Sequence, residues 1–498
     1  MVLNYFFYYM SIIKKLAGET LIYGMASIFP RMLNVLMTLV YLTYRFKDTE
    51  DYGSYNEMYA YVTIFLTILV YRLDTAYFRY GSRLENKDNV FSTALIPVIV
   101  SAIVIVGVVL VYSRSIATWL SYEDKPHYIQ WFALIIGFDA VATLFYGKFR
   151  LASQTKRFLF FRLANVVLTI IFILIFLEVL PRIAPEIGQN VASFFGVTKE
   201  LDFVFLANLL ASGSILLLLI PEFVRVKWSL DFGLLKKMLL YSFPLIVVGL
   251  AGNINQAFAV PLQKYFLGAD TAANLSDAGL YAAAAKIALL LNLFTVAFNY
   301  AAEPFFFNNA KEDKEKKAYG QVALAFTIVC VIVIIGIITF SGLAQYLVGS
   351  QYRASLNIVP WLLFAYFFLG LYYNVAIWFK LSDRTMVGAI ISVFGAIITL
   401  VVSIYFLPRV GTIASAYAAV TTYAFMIVAG YLTGQKYYPI QYPIKKILTY
   451  VVVAVIMTVS LVLLRSQVNT FVSMALGIVY NIGLLGYVWK YERKELLS

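Results

Sequence analysis

Charge is scarce in this chain, and so are the residues that most often carry acid–base or metal chemistry. Charged residues make up 13% of its 498 positions, about half the share of an ordinary soluble domain. Hydrophobic residues reach 62% and aromatics 17%. No single aqueous core can hide so much apolar surface, so the chain belongs in a bilayer. It has one histidine, His127, and one cysteine, Cys330. A lone cysteine excludes an internal disulfide, and Cys330 lies in an apolar run where it packs as a small hydrophobe. His127, beside Pro126 near the edge of an apolar run, reads as a boundary residue rather than the buried base of an intramembrane acyltransferase. No glycine-rich loop ends in Gly-Lys-Ser/Thr, which excludes the common route of nucleotide hydrolysis. The sequence therefore gives no reason to expect a cofactor or a metal. Asp48-Thr49-Glu50-Asp51 faintly echoes acidic motifs of membrane glycosyltransferases, but the large soluble domain or long outer loop of such enzymes is missing.

What is abundant is apolar runs of about 20 residues, each long enough to cross roughly 30 Å of hydrocarbon. The fold class expected is all-α, a polytopic membrane protein of about fourteen transmembrane helices. They fall near 18–41, 56–78, 91–112, 128–146, 160–180, 202–220, 239–260, 279–302, 319–340, 356–379, 387–407, 411–433, 447–464 and 470–489. Of the 39 basic residues, twenty-six lie in the even-numbered gaps and tails, counting Arg162 at the very edge of its span, and ten in the odd-numbered gaps. The positive-inside rule then puts both termini in the cytoplasm. The net charge of +13 is on this reading topological, and no nucleic-acid partner is implied. Met1–Met10 is aromatic but too short to span, and Met10-Ser11-Ile12-Ile13-Lys14-Lys15 resembles a more usual translation start.

Two weak internal echoes suggest a doubled bundle. Ser27-Ile28-Phe29-Pro30 matches Tyr241-Ser242-Phe243-Pro244, and both second spans of the presumed repeats exit through aromatic residues into charged loops. The division expected is an N-lobe over 10–230, a C-lobe over 231–440, and two further helices with a cytoplasmic tail over 441–498.

Three cations fall well inside spans, Arg31, Arg72 and Lys286, whereas Arg162 sits at the edge of its own. A charge at the centre of a membrane helix costs about 2.5–3.5 kcal/mol on insertion scales, so each needs water, a partner or a ligand. Arg31 follows Pro30 and lies roughly 20 Å along its span, near the midplane. It is expected either to face a hydrated cavity or to form a structural ion pair. Arg72 and Arg79 are seven residues apart, one face of a continuous helix, while Asp74 points elsewhere. Arg79, at the span's edge, could instead snorkel to headgroups. Lys286 follows four alanines, a pattern that suits close helix packing or room for a ligand. Asp74 and Asp139 are the candidate ion-coupling carboxylates, with Asp139 also a candidate partner for Arg31 or Arg72. Asn253, Asn255 and Gln256 could contact sugar hydroxyls or tie helices together.

Pro30-Arg31, Leu73-Asp74-Thr75-Ala76-Tyr77-Phe78-Arg79, and Tyr281 through Lys286 followed by Ala302-Glu303-Pro304-Phe305-Phe306 resemble motifs of a known family in their order. So do Gly370-Leu371-Tyr372-Tyr373-Asn374, Trp378-Phe379-Lys380-Leu381-Ser382-Asp383 and Gly434-Gln435-Lys436-Tyr437-Tyr438-Pro439. From Met10 onward the chain resembles the Wzx-type polysaccharide and O-antigen flippases of the multidrug/oligosaccharidyl-lipid/polysaccharide exporter superfamily. That resemblance implies two pseudo-symmetric six-helix lobes plus two C-terminal helices. It also implies export of an undecaprenyl-diphosphate-linked repeat unit of a polysaccharide or lipopolysaccharide across the bacterial inner membrane. Polymerase and glycosyltransferases of the same pathway would be its neighbours. Many relatives have glycine near the position of Arg72, so this cation is a departure.

The physics of the cargo agrees. A diphosphate carrier needs cations at several depths, which Arg31, Arg72, Arg79 and Lys286 would supply with Asn255 on the sugar. A multidrug or cation antiporter needs membrane carboxylates instead, of which Asp74 and Asp139 stand out. A membrane glycosyltransferase or polymerase is the further alternative.

Overall fold

The computed structural model describes residues 28–308, 315–382, 384–465, 467 and 469–492. Met1–Met10, the first part of the first span, the 311–314 loop and the side chains of Glu303–Phe306, Lys380 and Asp383 lie outside the described residues. All regular structure among the described residues is helical. The principal helices are α1 (28–45), α2 (Thr49–Val70), α3 (Leu73–Gly81), α4 (Lys87–Val111), α5 (Pro126–Leu151), α6 (Thr155–Ile183), α7 (Glu200–Val224) and α8 (Phe232–Ala257). They continue as α9 (Ala259–Phe266), α10 (Thr271–Asn308), α11 (Glu315–Thr339), α12 (Val359–Val375), α13 (Thr385–Val410), α14 (Ile413–Tyr437), α15 (Ile444–Arg465) and α16 (Thr470–Tyr491).

Twelve of the described helices are long and apolar enough to cross a membrane, and a thirteenth if α2 and α3 are one span. The protein is thus a multi-pass membrane protein. Each of the thirteen overlaps an expected span from the second onward, because apolar length alone sets where a backbone must satisfy its own hydrogen bonds. Large apolar side chains stay exposed on nearly every span, Ile103 and Leu217 among them, as lipid-facing surfaces require.

Span 2 departs from the expectation of one continuous helix. Tyr71 and Arg72 take left-handed backbone angles, φ 53° and 52°, and α2 and α3 meet at a 42° bend. Left-handed conformation costs an L-residue roughly 1–2 kcal/mol, and two in succession without glycine are held only by tertiary structure. The first described helix has its own irregularity, a π-helical stretch at Met37–Leu42; such stretches often accompany functional sites.

The chain divides into two compact units, Met1–Met37 with Glu57–Asn253, and Thr38–Asn56 with Ile254–Ser498. The first unit's apolar core gathers residues of α2 to α8, including Leu73, Tyr77, Phe91, Phe145 and Met238. In the second, α12, α14 and their neighbours enclose Tyr372, Trp378, Tyr423 and Met426. Two glycines there allow backbones to touch. A Cβ at Gly53 would stand 2.0 Å from the Leu275 carbonyl oxygen, and one at Gly279 would stand 2.0 Å from that of Thr49. Only hydrogen fits at either position, and Thr49 hydrogen-bonds Ser276 across the same contact.

Candidate functional site

The bend between α2 and α3 places Arg72 just before α3. Its carbonyl accepts the amides of Thr75 and Ala76 at 3.1 and 3.2 Å, and the Ser242 hydroxyl at 3.3 Å. Its side chain runs along α8 to Gly249, where a Cβ would lie only 2.4 Å from Nη2. Glycine at 249 therefore makes the room in which the guanidinium sits. Four positions of α8 line up against α2 and α3. Tyr241 lies under Arg79, whose Cζ is 4.2 Å from the ring centroid, and Ser242 and Gly249 meet Arg72. Asn253 donates to the Thr63 carbonyl at 2.8 Å and to the Thr67 hydroxyl at 2.9 Å. Positions 242, 249 and 253 share one helix face.

Arg72 Nε is buried and makes no hydrogen bond, and Asp74 Oδ1 is likewise buried and unpartnered. Among the described residues no carboxylate comes within ion-pair distance of Arg72. Arg72 as a whole is half-buried, and its guanidinium carries five donors in a rigid fork that a ligand or water can meet. The structure corrects the sequence argument for pairing Arg72 with Arg79 on one continuous helix face: the helix is interrupted at Arg72 itself. Arg79 is exposed and stacked on Tyr241.

Arg31 is exposed and makes no ion pair among the described residues. Depth and enclosure are separate properties, and helical rise predicts only the first. On the 28–36 turns Pro30 and Val35 are buried while Arg31 and Asn34 are exposed. Lys286, in the second unit on α10, is half-buried and also without a hydrogen bond or ion pair among the described residues.

Two expected site residues are occupied elsewhere. Asn255 is 9% exposed, its Oδ1 accepts the Thr399 hydroxyl at 3.0 Å, and its carbonyl accepts Tyr423 at 3.1 Å. Thr399 and Thr422 lie 2.8 Å apart, completing a polar tie between α13 and α14. Asn255 is an interhelical fastener, with little left for a sugar. Asp139 pairs neither with Arg31 nor with Arg72: Ser212 hydrogen-bonds its carboxyl and Arg162 is its charge neighbour. The Arg162 guanidinium is stacked 4.9 Å from the Tyr146 ring centroid.

Two further buried carboxylates escaped the sequence reading. Glu57 accepts hydroxyls from Tyr61 at 2.8 Å and Tyr122 at 2.6 Å. Asp202 accepts from Tyr128 and from the amides of Thr198 and Lys199 at 2.7 and 2.9 Å. Both are fully buried. Tyr61 at i+4 from Glu57 was a legible signal, since it is one turn along the same helix face; the Asp202 partnership with Tyr128 joins distant segments and was not.

A family model described as "Polysaccharide biosynthesis protein" matches residues 16–310, more than half of the chain. No curated protein matches the sequence significantly. Among solved structures, the chain resembles a lipid II flippase, MurJ, in an inward closed conformation, with TM-score 0.72 and 15% identity over 96% of this chain and 100% of that one. It also resembles an inward-facing multidrug resistance transporter of the MATE family and MOP superfamily, with TM-score 0.65 and 14% identity over 82% and 94% of the respective chains. A Vibrio cholerae MATE transporter, VcmN, in its bent form gives TM-score 0.51 at 14% identity over 86% and 99%. At these identities the likeness is one of fold, and the fold is that of transporters.

Proposed function

Because the chain belongs to the polysaccharide biosynthesis protein family, we propose that it is a flippase exporting a lipid-diphosphate-linked oligosaccharide. The membrane is the bacterial inner membrane, both termini are cytoplasmic, and access alternates between its two faces. The observation that carries this reading is Arg72, a guanidinium with a buried and unpartnered Nε at the strained joint of a broken membrane helix. A diphosphate suits that fork, since two parallel N–H···O bonds give both energy and geometry. Arg31, Arg79 and Lys286 are further candidate cations for the diphosphate. Asn255 serves structure, and Asp74 and Asp139 are candidates for coupling. An inside-negative potential assists the export of an anion, by about 2.3 kcal/mol per charge per 100 mV.

Three buried carboxylates do not favour cation transport, whereas Asp74 keeps an unpartnered oxygen. Glu57, Asp202 and Asp139 are each engaged by hydroxyls, amides or an arginine. Proteoliposomes that hold the purified protein and a fluorescent undecaprenyl-diphosphate oligosaccharide test the reading. Transfer of the glycan between leaflets, without change in its covalent structure, is expected. Movement of an organic cation in its place would make the protein an antiporter, and altered glycan linkage would make it an enzyme.

A further inference from the structure

A second cationic feature lies in the second unit, where Ile287, the chain neighbour of Lys286, forms part of its wall. The connection between α11 and α12 and the end of α15 enclose a cavity of about 320 Å³. Among the described residues, its charged lining residues are Arg353 and Arg465. Arg465, the last residue of α15, donates through Nη1 to the Ser341 hydroxyl and through Nη2 to the Ile338 carbonyl at 3.1 Å. Its Nε is buried without a partner. Arg353 spends only Nε, on the Gln345 carbonyl at 3.0 Å. Of ten guanidinium N–H donors, three are spent, and no carboxylate among the described residues pairs with either group. Two positive charges with seven open donors form a receptor for an oxyanion.

The rest of the wall is largely apolar, and it continues into surface that remains uncovered. Val462 is 44% and Leu463 59% exposed on the last turn of α15. These residues end an apolar span, so they mark the boundary between hydrocarbon and headgroup. A charged recess at that depth beside an apolar flank fits an amphiphile whose headgroup carries a phosphate. The volume lies at the low end for ligand pockets, suited to a headgroup rather than an oligosaccharide.

We infer that the Arg353–Arg465 cavity binds the phosphate of an anionic lipid headgroup at the membrane boundary. Arg31, Arg72, Arg79 and Lys286 are not among its lining residues, and its test needs no transport assay. Purified wild-type protein is titrated with short-chain phosphatidic acid, with phosphatidylcholine of the same chain length, and with inorganic phosphate; occupancy is read by native mass spectrometry and thermal shift. Phosphatidic acid is expected to bind at least tenfold more tightly than phosphatidylcholine. The double variant R353Q/R465Q should lose that preference, and R353K/R465K should keep part of it. Should the double variant fail to fold, R353Q alone leaves the Arg465 anchor in place and should still weaken binding several-fold. Competition by millimolar inorganic phosphate would identify the phosphate group as sufficient; its failure would assign the site to lipid. Equal affinity for the two lipids, or undiminished phosphatidic acid binding in the glutamine variants, would overturn the assignment.

Discussion

Arg72 and Asn255 are both polar residues on membrane helices, and the structure treats them in opposite ways. In the first unit Arg72 holds a strained backbone, a buried Nε with no acceptor, and a glycine that clears space for its guanidinium. In the second unit Asn255 has its side-chain oxygen and its carbonyl engaged by hydroxyls from two neighbouring helices. Unspent hydrogen-bonding capacity marks a group waiting for a ligand. A group whose valences are met is architecture, whatever chemistry its side chain could in principle perform.

The comparison can be broken by substitution, and the largest effect should come from Arg72→Ala. It is expected to reduce glycan export about a hundredfold or more at normal membrane abundance. Arg72→Lys should recover part of it, because an ammonium keeps charge but not the fork. Loss of abundance in step with export would instead make Arg72 structural. Gly53→Val attacks architecture alone: its side chain would meet the Leu275 carbonyl, and membrane abundance measured by immunoblot should fall several-fold. Asn255→Ala should cost about 1 kcal/mol, the scale of a membrane interhelical hydrogen bond. It should lower the melting temperature while leaving the half-saturating substrate concentration within twofold. A rise in that concentration at unchanged stability would return Asn255 to the site. Gly249→Ala is the finest test, since it presses a methyl onto a flexible guanidinium rather than onto backbone. A several-fold fall in export with unchanged abundance and melting temperature is expected.

Much of this was legible in the chain. The helices from the second span onward followed from apolar run length, and the scarcity of cations inside spans drew attention to Arg31 first, with Arg72 and Lys286 beside it. The break at Tyr71–Arg72 was not legible, because neither residue is a helix breaker and their left-handed angles are imposed by packing. Arg31 shows the limit of counting along a helix, which gives depth but not which face is covered. Asn255 and Asp202 show another: their partners are Thr399, Tyr423 and Tyr128, far away in sequence, so a single chain read linearly could not reveal that they were already engaged. The space made by Gly249 for Arg72 belongs to the same class, since a glycine in an apolar helix carries no label of what it admits.

The most direct test of the account is the binding of a water-soluble prenyl diphosphate to the purified protein, compared with the matching uncharged prenol. The account predicts that wild type binds the diphosphate at least tenfold more tightly than the prenol, and that Arg72→Ala removes most of that difference without lowering the melting temperature. Equal binding by wild type and Arg72→Ala, or no preference for the diphosphate in wild type, would contradict it.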